Sequence, residues 1–137
     1  MQTTQDFFDG RARLIAIEGY KDGRGLLLSA DFAQLPFEPR RVFTVSNVPE
    51  GSLRGGHAHR VGEQLLVCLQ GRISILMRYG EDTKTQVLEP DSPGLLIGAG
   101  VWSEQTYITA GSVLLVLASH PYDPQSYTAH WSGGEPG

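Results

Sequence analysis

Apolar residues along this chain come in short runs, each closed by glycine, proline, aspartate or asparagine, from residue 12 to about residue 119. Few runs are long enough for a substantial helix. Strands are predicted at Arg13–Ile17, Leu26–Ser29, Arg41–Asn47, Leu65–Leu69, Ile73–Arg78, Thr85–Leu88, Gly94–Ile97 and Val113–Ala118. Turns are expected at Lys21-Asp22-Gly23, Pro49-Glu50-Gly51, Gln70-Gly71, Tyr79-Gly80-Glu81-Asp82 and Pro90-Asp91-Ser92-Pro93, whose residues tolerate or prescribe turn dihedrals. So many short strands in a small chain predict an all-β fold, either a closed barrel or a two-sheet jelly roll that leaves few free sheet edges.

A chain of 137 residues is long enough for one core, so residues 1–137 read as a single domain. The balance of 11 Lys+Arg against 15 Asp+Glu gives a formal charge of -4 and no basic stripe, which argues against nucleic acid as a partner. No apolar run approaches the ~18 residues of a membrane helix, and residues 1–6 lack the cationic head and apolar stretch of a secretory leader. A membrane is not expected. Cys68, the single cysteine, lies in an apolar run, reads as a packing residue and favours a reducing cytoplasm. The polar tail after Pro121 is expected to fray over about its last five or six residues. His120 and His130 read as exposed or interface residues, and Glu63 as a surface or interface group.

Candidate chemistry concentrates in Gly51-Ser52-Leu53-Arg54-Gly55-Gly56-His57-Ala58-His59, followed by Gln64. Two histidines two apart on a strand project to one face, because strand side chains alternate. Arg54 precedes them and Gln64 opens the next apolar strand, so imidazole, guanidinium and amide are expected to converge in a barrel mouth. An amide and a hydroxyl are poor ligands for a transition ion, and two histidines alone hold one weakly. No metal is therefore expected. Free imidazoles exchange protons well near neutrality, since their ordinary pKa is about 6.5.

The spacing of Gly51, His57, His59, Gln64 and Gly71 resembles the first motif of the cupin superfamily of small β-barrels. Gln64 stands where metal-binding members place a carboxylate, and Ser103 where the second motif normally supplies another histidine. A closer resemblance runs through Asp22-Gly23-Arg24-Gly25, Leu35-Pro36-Phe37, Arg40-Arg41-Val42-Phe43, Arg54-Gly55-Gly56-His57-Ala58-His59-Arg60 and Glu63-Gln64-Leu65-Leu66-Val67-Cys68-Leu69-Gln70-Gly71. It continues through Val101-Trp102-Ser103-Glu104, Leu115-Val116-Leu117-Ala118-Ser119 and Pro121-Tyr122-Asp123. These blocks are similar to the sugar 3,4-ketoisomerases, the WxcM-like and FdtA-like proteins.

That resemblance implies a cupin-type dimer that uses no cofactor and moves a carbonyl from C4 to C3 of a dTDP-linked 4-keto-6-deoxyhexose. It places the catalytic histidines at His57 and His59 and the family's arginines at Arg41 and Arg54. Gln64, Phe43, Trp102, Ser103 and Tyr107 complete the expected substrate-binding set, with Trp102 as a flat wall and Tyr107 as a replacement phenol if its strand points inward. The chain departs from the family at Phe43 and Thr44, where relatives commonly carry two tyrosines, and at Ser103, where they commonly carry histidine. Two other readings remain open: a non-catalytic module that binds a nucleotide sugar, and a metal-free sugar epimerase.

Overall fold

The structure, a computed structural model, describes residues 2–128. Its strands are β1 (Thr3–Phe7), β2 (Ala12–Ile15), β3 (Glu18–Asp22), β4 (Gly25–Ser29), β5 (Arg41–Val45), β6 (Leu53–His59), β7 (Gln64–Gln70), β8 (Ile73–Tyr79), β9 (Asp82–Leu88), β10 (Gly94–Ile97), β11 (Trp102–Tyr107), β12 (Val113–Ala118) and β13 (Tyr127–Thr128). Single 3-10 turns fall at Phe32–Gln34 and Pro124–Ser126. The all-β expectation is met. His130 and the fraying expected at the tail lie outside the described residues.

Two antiparallel sheets carry most of the chain, one in the order β1-β2-β10-β7-β12-β5 and the other β13-β6-β11-β8-β9. Alternation decides what each strand buries. On β12, Leu114, Val116 and Ala118 turn to the inner face, where Leu114 and Val116 join Leu66, Ile73, Ile75, Met77 and Leu95 in one core cluster. Leu115 and Leu117 turn the other way and join Leu65, Val67 and Leu96 in a second cluster, covered by Leu28, Leu35 and Phe37. β7 is apolar from Leu65 to Cys68 because both of its faces are covered there, one by each cluster. The β3-β4 hairpin forms a separate two-stranded sheet with Tyr20, Leu26 and Leu27 exposed.

Candidate active site

The six-stranded sheet contributes a cross-strand row at one end of the barrel. Ala118 pairs with Arg41 on β5 and with Gln64 on β7, so guanidinium, methyl and amide stand side by side on the inner face. The small Ala118 side chain leaves space between its polar neighbours. One inward step along the strands stand Phe43, Val116 and Leu66, which begin the apolar core. The Arg41 guanidinium carbon lies 4.4 Å from the Phe43 ring centroid and 5.0 Å from that of Tyr122. Two π faces thus hold the cation in place.

The five-stranded sheet supplies the histidines from β6. His57 pairs with Ser103 on β11, and His59 pairs with Tyr127 on β13. Arg54 lies three residues before His57, a spacing that puts the two on opposite faces of a regular strand. A bulge restores them to one face: Glu104 pairs with Gly55 and Gln105 with Arg54, leaving Gly56 as the extra residue. Gly55 and Gly56 take φ of 91° and 84°, a region that favours glycine. A β-carbon at Gly55 would also lie 3.2 Å from the Ser103 carbonyl oxygen.

His57 Nδ1 and His59 Nε2 are both buried and find no hydrogen-bond partner among the described residues. The ring centroids are 5.5 Å apart, edge to face. Burial lowers the His57 pKa. At His59 burial, then the His57 charge and the Arg41 cation, lower it to about 4, against the opposing effect of the Gln64 side chain. Both rings are therefore neutral at pH 7, and a neutral imidazole has one ring nitrogen able to accept a proton. Tyr127, on the chain after the second 3-10 turn, packs its ring 4.6 Å from His57 and 4.4 Å from His59, and its hydroxyl accepts a 3.1 Å hydrogen bond from Arg41 Nη1. Beside it, Arg41, His59, Gln64, Ala118 and Ser119 border a cavity of about 20 Å³, room for about one water.

His57, His59, Arg41, Gln64, Phe43 and Ser103 are thus gathered at this end as the sequence pattern indicates. Three expected contributors stand apart. Trp102 pairs with Arg78 and faces away from Ser103, with the Arg78 guanidinium carbon 5.1 Å from its ring centroid, so it is no wall to the histidines. Tyr107 does point inward but sits four residues beyond Ser103, ~13 Å along the strand, among core residues. It therefore does not replace the missing phenol. Arg54 is exposed, in register with Gln105 rather than with either histidine. Thr44 faces outward, so a phenol there would point away from the site, whereas Phe43 faces in. Glu63 and His120, read from sequence as surface groups, border the cavity, with His120 Nδ1 2.8 Å from Ser119 Oγ. The sequence pattern does not single out Tyr127, which is one of three aromatic residues, with Tyr122 and Trp131, in the stretch after Pro121.

A transition ion does not fit this donor set. Ser103 stands opposite His57, an amide fills the carboxylate position, the Arg41 cation is adjacent, and no group of three His, Cys, Asp or Glu side chains gathers among the described residues.

The paired sheets and the inward-facing histidines on β6 define a cupin-like β-barrel. The family model FdtA, described as WxcM-like, C-terminal, matches residues 10–132, and the chain belongs to this family. A curated relative, the TDP-4-oxo-6-deoxy-alpha-D-glucose-3,4-oxoisomerase of Aneurinibacillus thermoaerophilus, is 33% identical over 119 residues, 87% of this chain and 77% of the relative. A mutant of the 3,4-ketoisomerase QdtA from Thermoanaerobacterium thermosaccharolyticum, crystallised with TDP-4-keto-6-deoxyglucose, superposes with a TM-score of 0.83 at 33% identity, covering 90% of each chain. The WlaRB TDP-quinovose 3,4-ketoisomerase from Campylobacter jejuni gives 0.80 at 30% identity, over 89% of this chain and 95% of the other.

Proposed function

We propose that this protein is a sugar 3,4-ketoisomerase that converts a dTDP-linked 4-keto-6-deoxyhexose into its 3-keto isomer. The observation that carries the reading is the pair of half-buried, neutral imidazoles on one strand face beside the Arg41 cation, each with one buried nitrogen that finds no hydrogen-bond partner among the described residues. Membership of a family whose named relatives are 3,4-ketoisomerases supports it.

The C3 hydrogen is acidified by the C4 carbonyl. One imidazole takes that proton, the C–H electrons form a C3–C4 double bond, and the carbonyl pair moves onto the C4 oxygen, which Arg41 stabilises. The second, neutral imidazole carries the C3 hydroxyl proton to that oxygen through an enediol, which forms the C3 carbonyl, while the first imidazole, protonated in the opening step, delivers its proton to C4. C3 is oxidised and C4 reduced within one molecule, so the proton and electron balance closes on the sugar itself. Arg54, exposed beyond the bulge, holds the diphosphate with its planar donors.

The chain forms one domain and assembles as a homodimer. Exposed Tyr20 and Leu27 on the β3-β4 hairpin, Phe32 on the turn after it, and Val42 on the edge strand β5 support that assembly. The cytoplasm suits a protein whose single thiol, Cys68, is buried and unpaired. Proton NMR of the nucleotide sugar in heavy water tests the activity. Deuterium at the reacting carbons together with a 3-keto product is expected. Exchange without carbonyl transfer would mark an epimerase, and tight binding with neither would mark a binding module. Light scattering on the purified chain checks the dimer.

A further inference from the structure

The proton shuttle needs a donor near the sugar oxygens, and β5 supplies no phenol: Phe43 faces the site and Thr44 faces away. Tyr107 is committed elsewhere, its hydroxyl donating to Gln105 Oε1 at 3.1 Å. One other phenol reaches the histidines. Pro121 to Tyr127 crosses the end of the barrel, with the Asp123 side chain accepting from the Gln125 N–H and the Arg60 N–H donating to the Ser126 carbonyl at 2.6 Å. This path delivers the Tyr127 ring against both imidazoles, 4.6 Å from His57 and 4.4 Å from His59 between centroids.

The hydrogen bonding of that phenol is asymmetric. Arg41 donates to its oxygen, so the oxygen accepts, and its own proton has no acceptor among the described residues. That O–H lies beside two rings, each of which has one buried nitrogen without a partner among the described residues. The ring also fills the space a reacting sugar needs, because proton abstraction requires a base within about 3.5 Å of carbon, and the cavity left beside it is only about 20 Å³. A hexose that reaches His57 and His59 must therefore displace this ring and lie against it.

Building on the ketoisomerase reading, we propose that Tyr127 is a third catalytic residue: carried on Arg41 and moved off the imidazoles by the incoming hexose, its hydroxyl donates a hydrogen bond to the sugar oxygen that bears the enediolate charge. Arg41 is thereby also a positioning residue for the phenol.

The test compares wild-type and Tyr127→Phe proteins on the dTDP-linked 4-keto-6-deoxyhexose, with dTDP binding by calorimetry and melting by circular dichroism measured alongside. Loss of one donor to a developing oxyanion lowers kcat by ~100-fold. KM is expected to stay within about 3-fold, because the interaction strengthens only in the transition state. Melting and dTDP affinity are expected to stay as in wild type. Fluorotyrosine at position 127, which keeps the ring and makes the phenol more acidic, is expected to shift kcat and move the alkaline limb of its pH profile to lower pH. Undiminished kcat in Tyr127→Phe, a raised KM alone, or a fluorotyrosine protein indistinguishable from wild type overturns the assignment while leaving the ketoisomerase reading intact. A wild-type protein without turnover overturns both.

Discussion

The two ends of the barrel interior bury similar chemistry and treat it in opposite ways. At the far end Tyr107 is fully buried, its hydroxyl bonded to Gln105, and Cys68 donates from Sγ to the Gln70 carbonyl at 3.3 Å. Burial pushes the Tyr107 phenol up to about 12 and the Cys68 thiol to about 11. Both groups stay protonated, partnered and unreactive. At the histidine end burial pushes the titrations down, and two ring nitrogens are left without partners. A buried polar atom with no partner costs stability, about 1–3 kcal/mol, so the open end carries a penalty that the closed end avoids. The contrast separates polar groups that complete a core from polar groups held ready for a substrate.

The strongest way to break this contrast is to remove the ready groups. His57→Asn and His59→Asn are each expected to lower kcat by ~1,000-fold, within the range for loss of a general acid or base. Their melting temperatures should stay within a few degrees of wild type, because both imidazoles are only half-buried and each loss removes at most a single hydrogen bond, at His59 the one with the Gln64 side chain. Steady-state kinetics and circular dichroism check the pair. Activity that falls only in step with folding would make the histidines structural.

Next in size is the bulge that aligns Arg54 with the histidine face. Gly55→Ala forces a β-carbon into positive φ and within 3.2 Å of the Ser103 carbonyl. Strain of about 1–3 kcal/mol follows, read as a melting temperature lower by ~5–10 °C. A displaced Arg54 should raise KM for the dTDP-sugar by roughly 10-fold if it holds the diphosphate, as loss of about one charge-assisted contact would give.

Acidity sharpens the comparison from another side. An unfolded histidine titrates near 6.5, while His57 is lowered in the folded protein and His59 is lowered to about 4. Between those values the unfolded chain binds more protons, so stability is present above about pH 6.5 and is lost as pH falls through 4. Thermal melts from pH 7 to pH 4 should fall steadily, and His59→Gln should flatten the decline. The acid limb of kcat/KM should lie below pH 6.5, since the free enzyme's base is a depressed imidazole. A limb above 6.5 would contradict neutral, buried rings.

Much of this was legible from residue order. The alternation of β12 and the apolar run of β7 mark central strands, and His-Ala-His marks a shared face. The hydrophobic pattern does not announce β1 or β3, because β3 is exposed throughout and β1 buries only Phe7, which leaves no alternation to read. The bulge at Gly55-Gly56 is visible as a glycine pair, but its effect on Arg54 depends on pairing with β11. Trp102 and Tyr107 show the limit most clearly: one residue of strand phase turns Trp102 away from Ser103, and four residues of strand length carry Tyr107 out of reach of the histidines. Tyr127 arrives through a two-residue pairing with β6 and packing on Arg41, neither of which is written in its local sequence.

The smallest effect is expected at the closed end. Tyr107→Phe deletes the hydroxyl that donates to Gln105 Oε1 and keeps the ring among its core neighbours. The cost should be about 1 kcal/mol, the net worth of an ordinary buried hydrogen bond, and no more, because Gln105 is only half-buried and can turn its freed oxygen to water. Chemical denaturation measures it. Because Tyr107 lies ~13 Å along β11 from Ser103, kcat should remain within about 2-fold of wild type. This is the point on which the two phenols part: Phe at 107 costs stability and spares turnover, whereas Phe at 127 spares stability and costs turnover. A large kcat loss at 107 would mean that the far end also takes part in the chemistry, and the distinction between a completed core and a prepared site would fail.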